Sequence, residues 1–272
     1  MEYKLLNNDE AIPMLGLGTW DMRDAECTQA VKCALDLGYT HIDTAEMYGN
    51  EEAIGGALKG AKRDKLFITS KVWFEHLGYK DVISACEGSL ARLGCEYLDL
   101  YLIHWPRRGT DYQATFAALG ELHDRELINA LGVSNFTISH LEESLKICDD
   151  LELEISVNQV EFHVGLYQHE LLEFCDRNDI ALTAYSPVCK GQFAHHELLN
   201  EIAEAHNKSS TQIALRWLVQ RGIVAIPKAS QRAHQSSNLN IFDFELSEDG
   251  MSRLDALGND DRLVVPGWAE FE

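Results

Sequence analysis

A chain of 272 residues is long enough for one sizeable core and matches the roughly 250 residues of a single (β/α)8 barrel, so residues 1–272 are read as one domain. Its 44 acidic against 23 basic side chains, a formal net charge of −21, argue against nucleic acid and anionic membrane surfaces as partners. It has no apolar run of about 18 residues and no basic-then-apolar start, and its seven cysteines, odd in number and without a C-x-x-C pair, read as buried thiols; a soluble, cytoplasmic, monomeric protein is expected.

Residues 3–6 and 11–13 flank the polar turn at 7–10 and predict a hairpin outside the main alternation. A first barrel strand is expected at 14–18 and a helix at 25–37, stopped by Gly38. Apolar strand-like runs then end in Asp43, Lys71, His104, Ser134, Gln159 and Tyr185, roughly 30 residues apart, the length of one strand plus one helix. Helical 3.6-residue spacing is expected near 50–59, 79–93, 113–126, 137–148, 168–177 and 195–206. Residues 223–226 make the eighth strand, and two additional helices are placed at 210–220 and 247–257. The tail, with Pro266, Gly267, Trp268 and Phe271, is expected to pack over the surface. In a parallel barrel the strand ends share one rim, so their polar residues line a common mouth.

Asp43, Tyr48, Lys71 and His104 form a coherent set. A phenol has an ordinary pKa near 10, and an ammonium such as Lys71 beside it is expected to lower that value. Asp43 would hold the lysine, while His104 hydrogen-bonds the same carbonyl oxygen that Tyr48 protonates. Ser134 has no evident base partner, so a hydrolase triad is not supported. Cys189, His195 and His196, with His163 upstream, have no zinc-type spacing, and no metal is expected. Trp20, Trp73 and Trp105 are expected to join Tyr48 and His104 in walling a substrate pocket, with Arg107 or Arg108 a candidate partner for a substrate carboxylate.

The segments GLGTW (16–20), GYTHIDTAEMYGNE (38–51), ITSK (68–71), LIHWP (102–106), GVSN (132–135), NQ (158–159), AYSP (184–187), IPK (226–228) and IFDF (241–244) appear in one order. In them the chain resembles the aldo-keto reductases along its whole length. The ending NDDRLVVP (259–266) through Trp268 is similar to the microbial diketogluconate and methylglyoxal reductase branch. The resemblance implies a (β/α)8 TIM barrel with an N-terminal hairpin. It also implies reduction of small aldehydes, ketones or keto sugars by a nicotinamide cofactor held without a Rossmann domain, and no G-x-G-x-x-G follows a strand here.

By the same resemblance Tyr48 is the general acid, assisted by Lys71 and Asp43, and His104 orients the carbonyl. Thr19, Trp20 and Asp43 lie near the cofactor. Ser134, Asn135 and Gln159 would bind the carboxamide, Tyr185 would stack on its ring, and Ser186, Pro187, Val188 and Gly191 would follow the pyrophosphate. Lys228, Ala229, Ser230, Arg232, His234 and Asn238 would hold the adenosine end. Ala229 replaces a common serine and His234 a common arginine, which weakens the grip on a 2′-phosphate, with Arg232 available to compensate. NADP(H) is favoured and NAD(H) possible. The alternative reading is a nicotinamide-sensing regulatory subunit built on the same barrel.

Overall fold

The computed structural model describes residues 1–259, 262–269 and 271, with His195 described by its backbone alone. Strands β1 (Tyr3–Leu5) and β2 (Ala11–Pro13) pair antiparallel as the expected hairpin. Eight parallel strands follow in sequential order: β3 (Leu17–Gly18), β4 (His41–Asp43), β5 (Phe67–Val72), β6 (Leu98–Ile103), β7 (Ile128–Ser134), β8 (Val157–Glu161), β9 (Ala181–Tyr185) and β10 (Val224–Ala225). Parallel bridges from Leu15 to Ala225 and from Gly18 to Lys228 join the first strand to the last, closing a (β/α)8 barrel. Closure explains Gly18: a Cβ there would stand 2.5 Å from the Ile226 carbonyl oxygen, closer than packed atoms approach.

Helices α1 (Asp24–Leu37), α2 (Glu51–Leu58), α3 (Tyr79–Leu93), α4 (Tyr112–Asp124), α5 (Ile138–Asp150) and α6 (His169–Arg177) each follow a strand, within two residues of the expected limits. The seventh unit carries α7 (Glu197–His206) and α8 (Ser210–Gln220), the eighth α9 (Arg232–Leu239) and α10 (Glu248–Asp255). Helix α9 has no apolar stripe to reveal it, since only Ala233 and Leu239 are apolar in that stretch. Capping is local and legible: Ser209 and Gln212 form a capping box on α8, and Gly38 ends α1 in the left-handed region at φ 96°. Six of the seven free cysteines are buried and Cys95 is half-buried. No helix among the described residues is long and apolar enough to cross a membrane.

His41 is buried in the barrel between Pro13 and Thr69, and burial lowers its pKa from 6.5 to about 4. Below pH 6.5 the unfolded chain takes up a proton that the folded chain refuses until about pH 4, so stability falls with pH across that window. The melting temperature at pH 5 should therefore lie below that at pH 7, and His41→Gln should narrow the gap. An unchanged gap would show that other groups carry the acid sensitivity.

Candidate active site

The rim at the carboxyl ends of the strands gathers four polar side chains from remote positions. Asp43 ends β4, Lys71 lies in β5, His104 follows β6, and Tyr48 sits on a short 3-10 turn just after β4. Lys71 is fully buried; its Nζ donates to Asp43 Oδ1 at 2.6 Å and to the Thr44 carbonyl at 2.8 Å, and lies 3.4 Å from Tyr48 Oη. The rings of Tyr48 and His104 meet edge to face at 5.5 Å. Gln159 Nε2 donates to Asp43 Oδ2 at 2.7 Å, so both carboxylate oxygens are occupied. The structure thus brings the four expected residues together.

Electrostatics correct one expectation. Burial, joined by the negative charge of Asp43, pushes the Tyr48 phenol well above its usual value near 10, so it is not an unusually acidic tyrosine. The reason is pairing: the ammonium of Lys71 is matched by a carboxylate in closer contact, the pair is near neutral as seen from the phenol, and desolvation wins. Burial likewise lowers Lys71, opposed by Asp43 and Glu51. Burial and the Lys71 charge hold His104 well below 6.5. At neutral pH the site therefore presents a protonated phenol beside an uncharged imidazole, a donor pair for a developing alkoxide.

Trp20 lies 4.9 Å from Tyr48 and Trp73 5.1 Å from His104, ring to ring. Trp105 is buried, its ring against those of Trp268 at 5.1 Å and Phe271 at 6.1 Å. Trp268 also packs on Trp73 and Phe74, so the tail supplies an aromatic wall that sequence reasoning left as surface packing. Glu46 is a further unforeseen support: its carboxylate accepts from the Trp73 backbone N–H and lies 3.0 Å from His76 Nδ1. Glu51, buried against Ser70 and Arg92, reinforces the field at Lys71. Arg107 reaches the Phe74 carbonyl and lies over its ring.

The expected cofactor residues fall along the same rim. Ser134 Oγ donates to the Gln159 carbonyl, Asn135 Nδ2 donates to the His104 carbonyl and to Ser134 Oγ, and Tyr185 Oη donates to Asn135 Oδ1. Thr19 is buried with its hydroxyl on the Asp43 carbonyl, while Trp20 is half exposed. Ser186 and Gly191, flanking Pro187 and Val188, adopt positive φ. At the other end Lys228, Arg232 and His234 are exposed and Ser230 partly so, but Ala229 and Asn238 are buried. The burial of those two leaves the accessible contacts to the other four residues. Helix α9 begins at Arg232 without a side-chain cap, so cationic groups and free helix N–H groups coincide, which suits a phosphate. Among the described residues no three His, Cys, Asp or Glu side chains are grouped to hold a metal, and the side chain of His195 lies outside them.

The profile of the aldo/keto reductase family matches residues 14–259. The chain belongs to this family. Members reduce carbonyl compounds with nicotinamide cofactors. Glyoxal reductase of Bacillus subtilis (strain 168) is 48% identical to this aldo/keto reductase over 261 residues, covering 95% of the chain and 93% of the relative. A crystal structure of MGS-M4, an aldo-keto reductase from a deep-sea metagenome library, superposes with a TM-score of 0.92 at 38% identity, covering 96% of this chain and 97% of its own. An aldo-keto reductase crystallised with NADPH superposes with a TM-score of 0.92 at 33% identity, covering 98% and 90%.

Proposed function

We propose that this aldo/keto reductase reduces small aldehydes and dicarbonyls with NADPH, with Tyr48 as general acid. The observation that carries the reading is the convergence of a protonated phenol, a buried ammonium and a neutral imidazole on one rim. NADPH, bound along 186–191 and 228–234, would supply a hydride, two electrons with one proton, to the carbonyl carbon. His104 and Tyr48 hydrogen-bond the carbonyl oxygen of the substrate and fix its orientation. As negative charge grows on that oxygen, the phenol proton moves to it, and the resulting phenolate is met by Lys71 Nζ at 3.4 Å. Asp43 and the Thr44 carbonyl keep the ammonium aimed at Tyr48. Trp20 and Trp73 wall this side of the reacting groups, edge to face with Tyr48 and His104.

The likeness to glyoxal reductase supports small dicarbonyls as substrates. Arg232, exposed at the uncapped start of α9, with Lys228 exposed four residues upstream, supports NADPH over NADH. Steady-state assays of glyoxal, methylglyoxal, keto sugars and simple aldehydes with both dinucleotides test this. NADPH should be favoured by about tenfold in kcat/KM, and Arg232→Ala should bring the ratio near one. A strong NADH preference reverses the cofactor reading. Tight cofactor binding without turnover across the panel would favour the sensing subunit, which no observed contact supports.

A further inference from the structure

Glu161, at the end of β8, is a fully buried carboxylate that the chemistry above does not use. Its Oε1 accepts from the Leu263 backbone N–H at 2.6 Å and lies 3.0 Å from His163 Nε2, and its Oε2 accepts from the Val264 N–H at 2.8 Å. Its own carbonyl accepts from Gln168 Nε2, and Gln168 Oε1 accepts from Arg262, whose guanidinium lies 4.2 Å over the Phe271 ring. The start of the tail is therefore tied to β8 at Leu263 and Val264, and to Gln168 beyond β8 at Arg262. A few residues on, Trp268 is half exposed and meets Phe74 at 4.6 Å, Trp105 at 5.1 Å and Trp73 at 5.9 Å, and Trp73 in turn meets His104.

We infer that Glu161 is a positioning residue: by gripping the backbone at 263–264 it seats Trp268 in the wall of the substrate pocket, an inference that rests on the carbonyl-reductase reading. Two oxygens serve two N–H groups here, which only a carboxylate does. A glutamine has one acceptor oxygen, and its NH2 would face a backbone N–H, donor against donor. Burial raises the carboxyl pKa, yet His163 and the two N–H groups outweigh it and hold Glu161 below the usual range, ionised at neutral pH. Trp268 rests on Phe74, Trp105 and Trp73 through ring contacts, and the grip on 263–264 holds the backbone that brings it there, so loss of the grip acts most on substrates wide enough to touch the wall.

Two arms test this. Limited trypsin digestion followed by mass spectrometry reads cleavage of the Arg262–Leu263 bond, whose N–H is held by Glu161. Glu161→Gln should speed that cut by about tenfold relative to wild type. In steady-state kinetics, Glu161→Gln and Trp268→Ala should each raise KM for 4-nitrobenzaldehyde by about tenfold with kcat within about twofold, and raise KM for methylglyoxal by a clearly smaller factor. The double variant should be no worse than either single, because both act through one contact. Trp268→Ala alters a half-exposed side chain and keeps the kinetic arm readable if Glu161→Gln folds poorly. An unchanged cleavage rate, equal losses on both aldehydes, or multiplying effects in the double would overturn the inference. Failure of the wild type to reduce either aldehyde would instead refute the carbonyl-reductase reading, and the protease arm would still decide whether Glu161 holds the tail.

Discussion

Tyr48→Phe is expected to lower kcat for carbonyl reduction by about 1,000-fold while leaving NADPH affinity within about threefold. The substitution removes one oxygen and keeps the ring that packs on Trp20 and His104, so the walls of the site stay in place. The size of the loss follows from the charges: His104 is uncharged at neutral pH and Lys71 is committed to Asp43 and Thr44, so neither replaces the missing proton donor. The pH profile of the wild type carries the same message. With the phenol raised well above 10 and the imidazole lowered well below 6.5, neither group changes protonation state between those values, and neither should bend the reduction rate there. Stopped-flow or steady-state assays from pH 6.5 to 9 with fluorescence titration of NADPH check both points. A variant retaining more than about a tenth of wild-type kcat would remove Tyr48 from the role of acid.

The second large effect concerns the pair behind it. Lys71 and Asp43 are almost completely buried and 2.6 Å apart, so removing either partner strands an uncompensated charge in the barrel. Lys71→Met and Asp43→Asn should each cost about 3–5 kcal/mol of stability, read by urea denaturation, and each should abolish turnover. Combined, the two substitutions leave no net charge, and the new amide oxygen still accepts from Gln159, so most of the stability should return. Activity should not return, because the ammonium that meets the developing phenolate is gone. A double variant that is stable and active within about tenfold of wild type would show that the pair is scaffold alone.

The legible part of the fold was the alternation itself. Short β-branched and leucine-rich runs ending in a polar residue, separated by helices with a single apolar stripe, predict a closed parallel barrel, and β3 through β10 follow in that order. Helix α9 escaped because its burial comes from polar side chains: Gln235 and Asn238 are buried, and Gln235 reaches the carbonyls of Ala30 and Ala229. Hydropathy carries no mark of such a helix.

At the site, residue identity was readable because a barrel rim converts sequence spacing into proximity: Asp43, Lys71 and His104 meet since each sits at or just beyond the end of neighbouring strands paired in register. What spacing left open was which charge each group sees. The proximity of Lys71 to Tyr48 suggested an acidified phenol, and the outcome was reversed by a shorter contact to Asp43 and by burial, both of which depend on ångström distances. The tail shows the same division: its aromatic residues are visible in the chain, but their seat on Trp73 and Trp105, and the hold of Glu161 on residues 263–264, join positions about 100 or more residues apart that no local pattern links. Local hydropathy and strand-end chemistry thus determined the barrel and the reacting groups. Protonation states and the shape of the pocket were decided by tertiary packing, because electrostatic energy in a low-dielectric interior varies steeply with separation and solvent access.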